Sequence, residues 1–335
     1  MAGRRTNLAL LVLLAAAILT GALAYGIGSG WGRVAVIAHG AAGLGLVLLA
    51  PWKSAIARRG LRRRRPGSWA SVALTVLAGT AVTFGVLHST GLLVDVGPVT
   101  AMQVHVGAAL LSIPLAVWHV LARRVRPRRT DLSRRTLLRA GAVLGGAGVA
   151  YAGLEGLVRV AGLPGADRRF TGSHERGSGR PEEMPVTQWL DDPVPSIGAA
   201  SWRLQVVAGD GSRTWAYEEL IGFDDRLRAT LDCTGGWYAD QVWEGAWLWR
   251  LLPDVGEARS VRVVSVTGYP RRFPAADLPR LLLATRVGGR PLDPGHGFPA
   301  RLVAPGRRGF WWVKWVERVE ASPVPWWWQW PFPVT

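Results

Sequence analysis

Residues 8–27 read LALLVLLAAAILTGALAYGI, a run with no charged side chain. A helix of about 20 residues, rising 1.5 Å at each, crosses the hydrocarbon core of a bilayer. The run is too long for the apolar core of a signal peptide and has no clear cleavage site, so it is expected to stay in the chain. Four more apolar stretches follow at Val34–Pro51, Ala70–Val94, Val99–Ala122 and Leu137–Val160. Residues 1–160 are therefore predicted to form an all-α membrane bundle of five transmembrane helices.

The charge supports this division. Residues 1–160 hold 19 Lys/Arg against 3 acids, and residues 161–335 hold 21 against 20. A nucleic-acid binder would carry its basic charge on a folded surface. Here the charge sits in short runs between apolar stretches, so no nucleic-acid partner is expected and membrane lipid is. Lys53–Gly67 and Arg123–Arg135 are the basic loops, while those near Ser29 and Asp95 are almost uncharged. The positive-inside pattern then predicts a cytoplasmic N-terminus and an extracytoplasmic C-terminal domain.

Ser133-Arg134-Arg135-Thr136-Leu137-Leu138-Arg139 resembles a twin-arginine export signal ahead of a weakly apolar, Gly-rich segment. The same residues also suit a plain positive-inside anchor. Twin-arginine export carries folded domains, often already loaded with a cofactor.

Residues 161–188 are rich in Gly, Pro and charge and read as a linker or extended arm. Residues 189–335 read as a mixed α+β, strand-rich domain. Strands are expected at Trp202–Val207, Val261–Thr267, Ala300–Val303 and Trp311–Val319. Short helices are expected at Glu244–Leu252 and Asp277–Ala284, the second with Pro279 in its first turn. No internal repeat is evident. The tail Trp326-Trp327-Trp328-Gln329-Trp330 suits either the membrane interface or packing onto its own domain.

Four of the six histidines, His39, His88, His105 and His119, lie in the membrane half. Ionisable groups there are costly and usually functional, and neutral imidazole is a common axial ligand of haem iron. His105 and His119 are 14 residues apart, about 21 Å along one helix, and do not share a haem. The topology places His39, His88 and His105 in the outer half. One haem b held by two of these three is expected; the alternative is interhelical hydrogen bonding by solitary histidines.

Cys233 is the only cysteine, so it has no internal disulfide partner. Taken alone it is either a small core residue or a ligand. Its surroundings are more specific. Leu231-Asp232-Cys233-Thr234-Gly235-Gly236-Trp237, then Trp243-Glu244-Gly245 and Leu251-Leu252, resembles the molybdenum-ligating segment of the sulfite-oxidase family. Gly295-His296-Gly297-Phe298-Pro299-Ala300-Arg301-Leu302, Pro305-Gly306, and Gly309 through Val313-Lys314-Trp315 resemble that family's pterin-binding signature. The resemblance covers about 189–319 and implies a sulfite-oxidase-type molybdopterin domain. It makes Cys233 the molybdenum ligand. It implies that Gly235, His296, Arg301, Gly309 and Lys314 bind the cofactor, and that Tyr269 and Arg271, with Arg272, lie near metal and substrate.

The residue chemistry is compatible. Thiolate is the soft ligand that a protein offers a high-valent metal, and glycine lets backbone approach it closely. Histidine, arginine and lysine supply charge-assisted donors to a phosphate. Lys314 is one of only two lysines among 40 basic residues. His174 is a further candidate, folding over the pterin from the linker. Within these residues there is no dimerisation domain after the catalytic one, nor a soluble haem domain of the cytochrome-b5 kind. The pattern is closer to bacterial members that work with a membrane haem subunit.

The sequence thus reads as a membrane-anchored, molybdopterin-dependent oxidoreductase. It would move an oxygen atom to or from a small oxo-type substrate and exchange electrons, through haem b, with a quinone or other redox carrier. The alternative is a metal-free molybdopterin-fold module serving binding or assembly on a membrane cytochrome.

Overall fold

The structure, a computed structural model, describes residues 2–62, 67–122, 128, 131, 133–188 and 193–332. Trp189, Arg63–Arg65 and most of the basic run 123–132 lie outside the described residues. The chain divides into two compact units, Met1–His174 and Glu175–Thr335.

The first unit is built on five long helices: α1 (Ala2–Gly26), α2 (Trp31–Arg62), α3 (Ser68–Thr90), α4 (Ala101–Ala122) and α5 (Arg134–Val160). Each is long and apolar enough to cross a membrane. Their outward faces carry aliphatic side chains such as Val12, Leu19, Val76, Leu138 and Val149, all more than half exposed. α1 packs along α2 and α3 along α4, so the first four helices form two hairpins; α5 lies on α2, and α2 and α3 touch only sparingly. Gly40 lets α2 and α5 approach, since a Cβ there would sit 2.4 Å from the Tyr151 ring. Between α3 and α4, β1 (Asp95–Val96) and β2 (Val99–Thr100) pair as a small hairpin. Arg4, near the start of α1, pairs with Asp131 ahead of α5, which puts both on one side of the bundle.

Segment 161–188, expected as a linker, divides between the units. Its first part belongs to the helical unit. β3 (His174–Glu175) spans the division, and the following residues lie along the second unit.

The second unit holds two sheets around one core. One contains β6 (Asp225–Asp232), β7 (Trp237–Trp247), β10 (Leu282–Val287), β11 (Arg290–Pro291) and β12 (Arg301–Val303). β7 and β10 are its centre; β6 joins β7, while β11 and β12 both join β10. The other runs β5 (Gly211–Ala216), β4 (Arg203–Ala208), β13 (Val316–Ser322), β8 (Ser260–Ser265) and β9 (Pro270–Pro274). β4 and β13 pair in parallel. β4 alternates buried and exposed residues, the pattern of a sheet covered on one face. β10 is buried almost throughout. Leu204, Val261, Val263 and Val319 from one sheet meet Trp243, Leu282, Leu283 and Leu302 from the other in a single core.

Three sequence expectations are corrected. Glu244–Leu252 is not a helix: β7 runs through Trp247, and only α7 (Leu248–Leu251) follows. Cross-strand pairing of Trp243–Trp247 with β10 overrides helix propensity, and Glu244 is held by Arg286 at 3.2 Å. Asp277–Ala284 divides into a 3-10 turn, Ala275–Arg280, and the start of β10. Trp311–Val319 is broken by a 3-10 turn at Gly309–Trp311 and by a left-handed Trp315, φ 52°, before β13 begins. The other expected strands agree with the structure to within one or two residues. α6 (Tyr217–Leu220) was not anticipated.

Gly245 joins the central strands. It lies opposite Ala284, and a Cβ there would sit 2.1 Å from the Leu283 carbonyl oxygen and 2.8 Å from Ala284 Cα. Gly245→Ala is expected to cost about 1–3 kcal/mol by overpacking. Thermal unfolding of the purified full chain in detergent, followed by tryptophan fluorescence, should show a lower midpoint. An unchanged midpoint would mean that β7 and β10 can separate without penalty.

Candidate functional site

Cys233 lies just past the end of β6, in the turn that leads into β7. Its N–H donates to the Trp237 carbonyl at 2.9 Å, and Gly236 N–H donates back to the Cys233 carbonyl at 3.2 Å. Gly236 has φ 92°, a conformation that favours glycine. Gly235 N–H reaches Cys233 Sγ at 3.4 Å, and a Cβ on Gly235 would stand 3.5 Å from that sulfur. The turn presents a backbone N–H to the sulfur and keeps side chains off it.

The loop 306–309 closes over the same turn. Gly309 comes so near that a Cβ would lie 3.1 Å from Cys233 Cα. Next to it, Arg308 donates to Asp232 Oδ1 at 2.6 Å and to the Cys233 carbonyl at 3.3 Å, with both charged side chains 4% exposed. Breaking a buried pair of this kind leaves a stranded charge and costs about 3–5 kcal/mol. This ion pair fixes the distance between the cysteine turn and the 306–309 loop. Neither Asp232 nor Arg308 was singled out from sequence. Only their adjacency to Cys233 and Gly309 pointed toward them.

The thiol opens onto a cleft between the cysteine turn and the 306–309 loop. Of the residues predicted from sequence, Cys233, Tyr269, His296, Arg301, Gly309 and Lys314 all line it. Gly235 lies against the sulfur. Arg271 is set behind the wall: its Nε donates to the Tyr269 hydroxyl oxygen at 2.6 Å, and that hydroxyl donates to the Phe310 carbonyl at 2.6 Å. Arg272 is tied to the tail, donating from its backbone to Gln329 and from its side chain to Ser322. His174 lies elsewhere, in the helical unit against His88.

Three basic side chains converge in the cleft. Arg301, on β12, is buried; its Nη1 donates to the His296 carbonyl at 3.1 Å while Nε has no partner. His296 Nδ1 is bonded to the Pro185 backbone, and buried Nε2 has no partner. Lys314 Nζ donates to the carbonyls of Gly295 at 2.6 Å and Thr187 at 2.9 Å. None of the three makes an ion pair among the described residues. Desolvation holds all three below their usual ranges, and the neighbouring cations lower His296 and Lys314 further: His296 at about 4, Lys314 at about 7 and Arg301 at about 10.

The arm 175–188 completes the wall, which reading it as a linker did not anticipate. Arg176 and Gly179 N–H groups donate to the carbonyls of Tyr238 and Asp240 along β7. This brings Thr187 and Gln188 to the cleft, where Thr187 Oγ1 accepts from Trp237 Nε1 at 3.0 Å and buried Gln188 Nε2 has no partner.

The donor set fits a molybdopterin cofactor. It offers one buried thiol, a glycine-lined approach to it, buried donors without partners, and three bases facing one space. Residues 191–330 match the oxidoreductase molybdopterin binding domain. Mitochondrial sulfite oxidase of Homo sapiens is 29% identical over 168 residues, covering 39% of this chain and 31% of that protein. The NADPH nitrate reductase of Mycosarcoma maydis is 50% identical over 42 residues, covering 12% of this chain and 4% of that protein. Among solved structures, the sulfane dehydrogenase SoxCD of Paracoccus pantotrophus aligns at TM-score 0.37 and 24% identity, covering 39% of this chain and 40% of that one. The chain spans about a third of the length of the sulfite oxidases it matches. The domain match and the sulfite oxidase similarity support a molybdenum-cofactor-dependent oxidoreductase.

The depressed His296 pKa has a consequence for the cofactor-free protein. As pH falls from 6.5 towards 4, the unfolded chain takes up the proton before the folded one does, so stability is lost through that window. His296→Asn keeps a donor for the Pro185 backbone and removes the titration. Unfolding midpoints measured against pH should fall less steeply between 6.5 and 4 in the variant than in the wild type. Equal slopes would mean that His296 protonates normally in the folded state.

Proposed function

We propose that this chain is a membrane-anchored, molybdopterin-dependent oxidoreductase acting outside the cytoplasm. The observation that carries the reading is the lone buried Cys233 thiol sharing one cleft with His296, Arg301 and Lys314. When bound, the cofactor would supply oxygen-atom transfer to or from a small oxo-type substrate.

The chain's own residues have separable roles. Cys233 would be the thiolate ligand of molybdenum, held in place by the Asp232–Arg308 pair. His296, Arg301 and Lys314 would hold the pterin and its phosphate. An anionic group beside Lys314 would offset its desolvation and restore its full charge at neutral pH. Trp237, Trp312 and Trp315 wall the cleft and limit water. Tyr269, steadied by Arg271 behind it, would present its ring and oxygen to the substrate.

The five apolar helices support membrane anchoring, and the arginine-rich loops support a cytoplasmic N-terminus. The Arg4–Asp131 pair is compatible with that orientation, because it joins the N-terminus to the α4–α5 connection. Ser133–Arg139 supports twin-arginine export. The tail is tied to its own domain by Gln329 and Arg272, while the Trp327, Trp328 and Trp330 rings stand 58–71% exposed and suit the lipid interface. Electrons would pass to or from a quinone or another carrier through haem b in the helical unit.

The test is metal analysis of the full-length protein, purified from a host that makes molybdenum cofactor, beside Cys233→Ser. About one molybdenum per wild-type chain is expected, with an altered or lost centre in the variant. A folded wild type without molybdenum would sink the enzyme reading in favour of a binding or assembly module.

A further inference from the structure

We infer that His39 and His105 are the two axial ligands of one haem in the seam between the α1–α2 and α3–α4 hairpins. This deepens the electron route proposed above and rests on that route using haem.

The two imidazoles come from different hairpins and meet edge-on across the seam, ring centroids 5.6 Å apart and planes at 85°. Metal–imidazole nitrogen distances are about 2 Å, so two rings facing across one ion have centroids roughly 6 Å apart. The observed spacing is close to that. Nδ1 of His39 lies 2.9 Å from the Ala17 carbonyl, and Nδ1 of His105 lies 2.6 Å from the Ala81 carbonyl. A carbonyl only accepts, so Nδ1 carries the proton in both rings, and in the neutral imidazole Nε2 keeps its lone pair. Histidines that ligate metals are usually oriented in this way, by a second partner on the other ring nitrogen.

The two hairpins build the arrangement twice. In α1, Ala17 offers the carbonyl, and Gly21, one turn later, lies so close that a Cβ would sit 3.0 Å from the His39 ring. In α3, Ala81 and Gly85 stand in the same relation, a Cβ on Gly85 falling 2.9 Å from His105 Nδ1. The sequence shows no overall repeat, yet Ala-x-x-x-Gly recurs on the first helix of each hairpin opposite the histidine of the second.

The number of donors selects the ligand. Among the described residues no group of three or more His, Cys, Asp or Glu could hold a metal ion. A bare tetrahedral or octahedral ion would be left short of ligands by two imidazoles. A tetrapyrrole brings four nitrogens of its own and needs only the axial two. α2 and α3 make only sparse contact, so helix packing does not seal the seam there.

His88 is otherwise engaged. It is buried, its Nε2 bonds the Gly172 carbonyl at 3.0 Å, and its ring meets that of His174, whose Nε2 in turn bonds the His88 carbonyl at 2.7 Å. This pair ties the chain after α5 to the end of α3. His119 reaches Ser71 at 3.0 Å, far along α4 from His105.

The test is reduced-minus-oxidised spectroscopy and haem extraction on full-length protein, with His39→Gly, His105→Gly, His88→Ala and His174→Ala beside wild type. Size-exclusion elution would report folding, and molybdenum would be assayed on the same samples. Wild type should hold one low-spin haem b per chain. His39→Gly and His105→Gly should each lose the low-spin signal and regain it with added imidazole, while His88→Ala and His174→Ala keep it. Retention of low-spin haem in both glycine variants, or its loss only in the His88 or His174 variants, overturns the pairing. Wild type without haem overturns the haem route itself, whatever its molybdenum content. Haem present without molybdenum leaves the pairing standing and removes the enzyme reading.

Discussion

The buried pair between Asp232 and Arg308 connects the two halves of the cleft. Asp232 ends β6 and precedes the only thiol, and Arg308 lies in the loop that carries Gly309. Their bond, with Arg308 also donating to the Cys233 carbonyl, holds two segments 75 residues apart in sequence at the spacing the site requires. Gly309 eases the closure, because a Cβ there would stand 3.1 Å from Cys233 Cα and force the two segments apart by a few tenths of an ångström. The charged pair is stable only while both members are present, since each is buried too deeply for water to replace the other.

The fold around this clamp accepts a large electrostatic cost. Arg301, Lys314 and His296 share one desolvated space; burial lowers all three, Arg301 further lowers Lys314, and both cations lower His296. Two tryptophan faces, Trp243 and Trp312, lie against the Arg301 guanidinium and offset part of that cost through cation–π attraction. Carbonyls of Gly295 and Thr187 do the same for Lys314. A protein selected for stability alone would not collect three bases in one apolar cleft. Like charges gathered with spare donors are the mark of an anion site.

The helical unit follows the opposite rule. Its outward surface is aliphatic, and its polar groups are turned inward and paired with backbone carbonyls. His39, His88 and His105 each bond a carbonyl from another segment, which satisfies one ring nitrogen where water is scarce. Glycines at 21, 40 and 85 provide the space for these rings and for Tyr151. Small residues here set where aromatic and imidazole rings can lie between helices.

The number and position of the long helices were legible in the sequence because an apolar run of about 20 residues has few other stable conformations, whereas α2 runs on past the expected Pro51 to Arg62. Two short motifs named residues that the structure brings to one cleft: Cys233 with its glycines, and the His296, Arg301, Gly309 and Lys314 set. These sit in turns and short strands whose local residues fix their shape. Glu244–Leu252 and Asp277–Ala284 were misread because β7 and β10 are paired over most of their length, and strand pairing is a non-local force that periodicity does not record. The arm 175–188 looked like a linker for the same reason: its partners lie along β7, some 60 residues away. Which histidines face one another was likewise decided by tertiary structure, since four imidazoles on three helices have no pairing until the hairpins are packed. The sequence determined which groups were available, through composition and local pattern. Tertiary structure decided which of them meet, because burial, ion pairing and ring contact depend on distances through space.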